Sequence, residues 1–381
     1  MNDLRKQFEE LLNNEKSYFD FVIKECREKE VYLFGVNSRD VKITKDFLNN
    51  YSISIKNIID NNSKNHGLVE CGIKYISPND IKINDDTSVI ICAYRVNEIR
   101  EQLILLGINN IYNIPRIGIS CGGHEMLDSN IYKNEKNKLL FLYDILTDEL
   151  SKTVLYNRIK VAVNGDFSVF NSSIIDGNYY KAGKYPMPNN EYWPEEIFEL
   201  NNNEIFFDVG SADGDTIEMF INHVSGEFNK IYAFEPDIKN FQELFFKYNS
   251  DDNIILFNKG LSNTNQNLSF ESNGLGSYFV DLKNKYSNKV SVAKVADLDG
   301  MKIKDEPTLV KMDIEGFEVK AILGMKKTIK QSSPKLSICL YHRPEHLWQV
   351  PLKIHSINPN YKLYLRQYTD STDDLVFHST I

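Results

Sequence analysis

The sequence predicts an α/β chain of two units, a smaller one near the N-terminus and a larger one in the C-terminal half. Three observations predict it. Apolar runs of strand length alternate with amphipathic stretches of helix length. The alternation occurs twice, over about the first 115 residues and again from Glu204 onward. And 381 residues exceed what one ordinary hydrophobic core encloses.

Composition narrows the classes. The 42% hydrophobic and 25% charged fractions are those of a globular protein rather than a disordered or fibrous one. With 53 acidic against 44 basic residues the net charge is −9, which argues against a phosphate backbone as main partner, so no nucleic acid is expected. The five cysteines, Cys26, Cys71, Cys92, Cys121 and Cys339, are scattered and odd in number, with no C-x-x-C pair. A disulfide framework or structural zinc is therefore not expected, and a reducing cytoplasm fits best. No apolar run reaches the roughly 18 residues of a spanning helix, so a soluble protein without integral membrane segment is expected.

The elements follow in order. Met1 to Glu30 places Leu4, Phe8, Leu11, Leu12, Phe19 and Phe21 at amphipathic helical spacing, without the basic-then-apolar pattern of a signal peptide. Val31 to Gly35, Ile55 to Asp60, Ser88 to Ala93 and Ile111 to Ile114 read as strands, with a helix from Asn97 to Leu106 ended by Gly107. Strands separated by helices imply a parallel sheet with right-handed crossovers. Asn137 to Lys160 repeats leucines at helical spacing and reads as a connector. Asn164 to Leu200, with Gly177, Gly183, Pro186, Pro188 and Pro194, reads as an ordered but irregular segment.

The second unit opens with a strand from Glu204 to Asp208, a glycine-rich turn and a helix through Met219. Strand Lys230 to Glu235, helix Phe241 to Tyr248 and strand Ile254 to Phe257 come next. Asn267 to Val295 alternates in short runs, as hairpins do. Strand Leu309 to Asp313, helix Phe317 to Ile329 and strand Leu336 to Tyr341 resume the alternation. Tyr361 to Leu365 and Leu375 to Phe377 form an expected antiparallel pair. The expected divisions are 1–130, a connector and irregular segment over 131–200, and 201–381.

Four motifs carry chemistry. In Asp208-Val-Gly-Ser-Ala-Asp-Gly-Asp-Thr216 a strand ends in a carboxylate, and small residues at 210, 212 and 214 let the backbone approach a ligand. A helix N-terminus follows, offering free N–H donors to a carboxylate. A dinucleotide fingerprint would want Gly at 215, where Asp215 would repel a pyrophosphate. A tight turn with no ligand is the plain alternative. Phe234-Glu235-Pro236 ends the next strand, where an acid can accept hydrogen bonds from ribose hydroxyls. Val310-Lys-Met-Asp-Ile-Glu-Gly316 places Lys311, Asp313 and Glu315 on one side of a strand's C-terminal end, or else holds a buried ion pair and a helix-capping acid. Leu340-Tyr-His-Arg-Pro-Glu-His-Leu-Trp348 brings His342 and His346 close to Arg343 and Glu345, with His342 the better acid–base candidate.

Together these motifs, with Lys259-Gly-Leu-Ser262 and Asp297-Leu298, resemble the FkbM family of methyltransferases over about Tyr179 to Phe377. Ala212 departs from the glycine common in Rossmann-like methyltransferases, but alanine is small enough for binding to survive. The resemblance implies a Rossmann-like class I methyltransferase domain at the C-terminus, preceded by a smaller Rossmann-like α/β domain. It implies S-adenosyl-L-methionine as donor and a hydroxyl on a sugar, nucleotide sugar or glycan-related metabolite as acceptor. Expected donor contacts are Asp208, Gly210, Ser211, Ala212, Asp213, Gly214, Thr216, Glu235, Pro236, Gly260, Leu261 and Asp313.

For catalysis His342 is the first base and Asp313 the second, with Lys311 orienting the carboxylates or steadying the acceptor oxygen. Asp313, Glu315 and His342 could hold a divalent metal, but their spacing is not diagnostic, and no metal is assigned. The alternative is a non-catalytic nucleotide- or glycan-binding protein with a degenerate fold. In the first unit the Phe34-Gly35-Val36-Asn37-Ser38 turn lacks a phosphate fingerprint, while Asp60-Asn61-Asn62 could meet a ribose. That unit is expected to help present the acceptor, and a chain beginning near Asn164 to keep donor binding.

Overall fold

A computed structural model describes residues 3–36, 41–93, 96–114, 125–172, 191–271, 278–279 and 290–381. Asn37 and Ser38, Pro115, Cys121, residues 173–190 of the glycine- and proline-rich stretch and much of the hairpin region lie outside the described residues.

The chain begins with two helices where the periodicity suggested one, α1 (Asp3–Leu12) and α2 (Tyr18–Cys26). The break is local chemistry: the Ser17 hydroxyl accepts from Asp20 N and starts a new helix. Strands β1 (Glu30–Phe34), β2 (Ile55–Ile59), β3 (Val69–Glu70), β4 (Ile73–Ile76), β5 (Thr87–Ile91) and β6 (Asn110–Asn113) form a sheet in the order β3-β4-β2-β1-β5-β6. Every pair in it is parallel except β3 with β4. Val31 to Phe34 are all buried, as a parallel strand covered on both faces requires. Helices α3 (Val41–Asn49) and α4 (Val96–Leu105) join successive strands. Neither the short β3–β4 pair nor α3 was legible, because a four-residue run and a nine-residue helix carry too few periods.

The connector holds α5 (Ser129–Lys133), α6 (Lys136–Ile145) and α7 (Glu149–Asn164), so the leucine-rich stretch is two helices. The Asp148 side chain caps α7 by accepting from Ser151 N.

The second sheet has seven strands: β7 (Ile205–Val209), β8 (Lys230–Phe234), β9 (Ile254–Phe257), β14 (Leu309–Met312), β15 (Lys335–Cys339), β16 (Lys362–Gln367) and β17 (Leu375–Thr380). Between β9 and β14 lies a small sheet of β10 (Gly260–Leu261), β11 (Gln266–Glu271), β12 (Tyr278–Phe279) and β13 (Val290–Ala296). The large sheet runs β16-β17-β15-β14-β7-β8-β9, with β17 antiparallel to its neighbours and the other pairs parallel. From β7 the chain goes outward to β8 and β9, then returns to β14 on the other side. The β7–β14 boundary is therefore a topological switch point, where ligands bind outside the carboxyl ends of strands.

Helices α8 (Asp215–His223), α9 (Ile238–Tyr248), α10 (Glu318–Gly324), α11 (Lys326–Ser332) and α12 (His346–Ile357) cover the sheet.

The cores do not divide at residue 130. Phe8, Leu11 and Leu12 of α1 share one cluster with Leu139, Leu142, Leu155, Leu336 and Phe377. Helix α7 contributes Leu155 and Ile159 to that cluster and Val161 to the core of the first sheet. No described helix is long and apolar enough to cross a membrane.

Candidate active site

The turn after β7 is built by close approach. A Cβ added at Gly210 would lie 2.0 Å from the Asp313 carbonyl oxygen, so glycine alone lets the exits of β7 and β14 meet. Gly214, at φ 90°, turns the chain into α8 and, as a glycine N-cap, supplies no side-chain cap. Between them Ala212 sits at φ 46°, in the left-handed region. Its difference from glycine therefore lies in backbone strain rather than in size. The Ser211 hydroxyl donates to the Asp208 carbonyl at 2.8 Å, and Thr216 N donates to the Asp215 carboxylate at 2.7 Å. Asp213 faces Lys247, with 4.0 Å between Nζ and Oδ2.

Asp208 is fully buried, and neither carboxylate oxygen accepts an aligned hydrogen bond. Lys311 Nζ stands 3.3 Å from its Oδ1 and donates to the Gly210 carbonyl at 2.8 Å. Burial pushes the Asp208 carboxyl up, with Lys311 working against it. Burial works to lower Lys311, but Asp208 and Asp313 hold it above its ordinary value. Lys311 thus ties β14 to the turn from beneath, reaching Asp208 and Gly210.

Glu235, also buried, is clamped by backbone: Ala212 N donates to Oε2 at 2.9 Å and Asp237 N to Oε1 at 2.7 Å. Each oxygen keeps a second acceptor position. Burial dominates these hydrogen bonds and raises the carboxyl to about 7. Asn258 donates to the Glu235 and Pro236 carbonyls at 2.9 and 3.3 Å, fixing the strand end. Gly260 and Leu261, in contrast, are buried in pairing with β13.

Asp313 keeps 23% of its side-chain surface exposed. Its Oδ2 accepts from the hydroxyls of Tyr341 at 3.0 Å and Tyr192 at 3.4 Å. Its Oδ1 lies 3.1 Å from His342 Nε2, off the axis of a linear hydrogen bond. His342 is fully buried; its Nδ1 meets Glu318 Oε1 at 2.7 Å, and Glu315 Oε2 lies 3.6 Å from Nε2. Burial favours neutral imidazole, but Glu318, Glu315 and Asp313 outweigh it and raise His342 well above its ordinary value. Burial likewise opposes ionisation of Asp313, yet the neighbouring His342 and Lys311 hold it at about 2.

Glu318, Tyr192 and Glu191 are site residues that the motifs did not single out. Glu318, fully buried, also accepts from Ile314 N at 3.2 Å and Gly316 N at 3.3 Å and faces His346 Nδ1 at 3.0 Å. An acid in the first turn of a helix was the available signal. Glu191 is fully buried with both oxygens unpartnered, and burial first, then Asp374 and Asp313, raise it well above the carboxylate range. In the first unit Asp60 is engaged within its own loop, accepting from Asn62 N at 2.7 Å and Asn65 Nδ2 at 2.6 Å.

Residues 208–370 match the family described as the methyltransferase FkbM domain. Among solved structures, the methyltransferase FkbM from Methylobacillus flagellatus KT aligns at a TM-score of 0.75 and 16% identity, covering 99% of each chain. That likeness is one of fold. A methyltransferase dependent on S-adenosylmethionine from Aquifex aeolicus aligns at 0.32 and 12% identity, over 54% of this chain and 100% of that one. Aeropyrum pernix fibrillarin with natively bound S-adenosyl-L-methionine aligns at 0.32 and 10%, over 50% and 73%. No curated protein matches the sequence. The sequence match over residues 208–370 is thus to the methyltransferase FkbM domain, and the fold, from end to end, is similar to that of a solved FkbM methyltransferase.

Proposed function

We propose that the protein transfers a methyl group from S-adenosylmethionine to a hydroxyl of a sugar, nucleotide sugar or glycan-related metabolite in the cytoplasm. The observation that carries this reading is the set of carboxylates Asp208, Glu235 and Asp313 at the ends of three neighbouring strands around one switch point. The residues present fit that donor. Asp208 has two buried oxygens without an aligned donor, suited to the ammonium end. The second acceptor positions on Glu235 suit paired ribose hydroxyls.

Bound there, the donor supplies a sulfonium methyl open to in-line displacement, so the protein's work is alignment and handling of one proton. Asp313 is the most exposed member of its cluster, with 23% of its side chain accessible, and the group that would meet the acceptor hydroxyl. His342, buried and held by Glu318, acts as a positioning residue for Asp313 rather than as the first base. The first unit would help to present the acceptor.

The test is incubation of the full chain with labelled donor and a panel of sugars, nucleotide sugars and glycan precursors. Label on a hydroxyl compound is expected. Donor binding without transfer to any member would favour the non-catalytic alternative.

A further inference from the structure

We propose that Asp313, Glu315 and His342 form a divalent-cation site, with Glu318 holding the imidazole from behind. Three features of the side chains lead to it. Octahedral oxygen and nitrogen ligands about 2.1 Å from an ion stand about 3 Å apart along each edge of the octahedron. His342 Nε2 lies 3.1 Å from Asp313 Oδ1 and 3.6 Å from Glu315 Oε2, close to that edge length.

The second observation is independent of spacing. His342 is fully buried, yet its Nε2 has no aligned hydrogen-bond partner. A buried ring nitrogen facing two carboxylates without bonding either is costly unless something else occupies the gap. The opposite nitrogen, Nδ1, is fixed by Glu318 Oε1 at 2.7 Å. That is the arrangement of a metal-binding histidine, whose outer nitrogen donates to a carboxylate and so fixes the tautomer with its lone pair toward the ion.

The third concerns the carboxylates. Hydroxyls of Tyr341 and Tyr192 hold Asp313 Oδ2, which leaves Oδ1 turned toward His342. Glu315 adopts φ 53°, a left-handed conformation unusual for this residue, and it is this backbone that carries its carboxylate back toward Nε2. Two carboxylates and one imidazole suit Mn²⁺, Fe²⁺ or Mg²⁺ with open positions better than a closed structural zinc site.

What the ion would do rests on the methyl-transfer reading: held beside the exit of β14, it would bind and acidify the acceptor hydroxyl. The hydroxyl proton passes to solvent, the oxygen bonds the methyl carbon, and the sulfur leaves with the electrons of the broken carbon–sulfur bond.

The experiment needs no methyl donor. The full chain, stripped with chelator, is titrated with Mn²⁺ while the free ion is followed by electron paramagnetic resonance. One equivalent should be bound, with nitrogen coupling from a single imidazole. Asp313→Asn and Glu315→Gln should each weaken binding at least tenfold, and His342→Gln should also remove the nitrogen coupling. If His342→Gln fails to fold, the half-buried Glu315 variant still decides. No depletion of free Mn²⁺ at millimolar concentration, or unchanged affinity in both carboxylate variants, overturns the site. Methyl transfer that persists in chelator would overturn it while leaving the transferase reading intact.

Discussion

Glu235 has the chemistry of a ribose acceptor only when ionised, and its surroundings place that transition near neutrality. Its carboxyl is raised from 4.5 to about 7, so between those values the folded chain binds a proton that the unfolded chain has released. Its contribution to stability is therefore lost as pH rises from about 4.5 to about 7. Donor binding, which needs the carboxylate, runs the other way. Affinity should rise with pH up to about 7 and level off above it, with proton uptake by the buffer on binding near pH 6.5. Calorimetry in two buffers of different ionisation enthalpy measures this, and pH-independent binding would remove Glu235 from the contact.

Ala212 gives a second residue-scale outcome. At φ 46° it carries strain that glycine lacks, so Ala212→Gly should add about 1 kcal/mol of stability in urea unfolding. A loss of stability would mean that the turn is not strained. Asp208, Glu235 and Asp313 were legible because each ends an apolar strand. Glu191 and Tyr192 were not, because they reach the site from a segment without period, and only the folded chain brings them to Asp313.

At the scale of elements, the N-terminus of α10 organises the site. Glu318 joins two backbone donors and two histidines, a convergence that runs from Ile314 to His346. Burial opposes its ionisation, but His342 and His346 hold it well below its ordinary 4.5. A depressed acid stabilises the fold above its unfolded value, and that contribution is lost as pH falls from about 4.5 through the depressed value. Glu318→Gln should therefore destabilise the chain by about 3 kcal/mol at pH 7 and flatten the loss of stability below pH 4.5. Urea midpoints across pH 3 to 7 measure it; a parallel shift of the whole curve would mean that the ionised form is not what stabilises.

The sheet elements were legible from apolar runs ended by Gly, Pro or Asp. The helix breaks at Asn13–Ser17, Leu146–Asp148 and Met325 were not, since apolar spacing continues across each while a cap or a turn interrupts the backbone.

At the scale of the molecule, the expected division of labour changes. A chain beginning near Asn164 would lose α1, α6 and α7 along with the first sheet. Those helices cover β16, where the Ser151 hydroxyl accepts from Leu365 N at 2.9 Å, and share a core with Leu363, Leu365 and Phe377. Each leucine uncovered costs about 1.5–3 kcal/mol. The truncated chain should therefore lose its cooperative thermal transition, so its failure to bind donor would not locate the donor site. A melt matching that of the full chain would contradict this packing. The contact between units also runs through the β16–β17 loop, where Asn97 N at the start of α4 donates to Asp370 Oδ2 at 3.0 Å and Arg158 donates to the Thr372 carbonyl at 2.7 Å. The first unit is thus fastened beside the carboxyl ends of the second sheet, consistent with a part in acceptor presentation.

The central claim is that the crevice between β7 and β14 binds S-adenosylmethionine through Asp208 and Glu235. The direct measurement is calorimetric titration of the full chain with that donor at pH 8, repeated with Glu235→Ala. The account predicts saturable binding of one donor per chain, weakened about 10- to 100-fold in the variant by loss of charged hydrogen bonds. Absence of binding, or equal affinity in a folded Glu235→Ala chain, would contradict it.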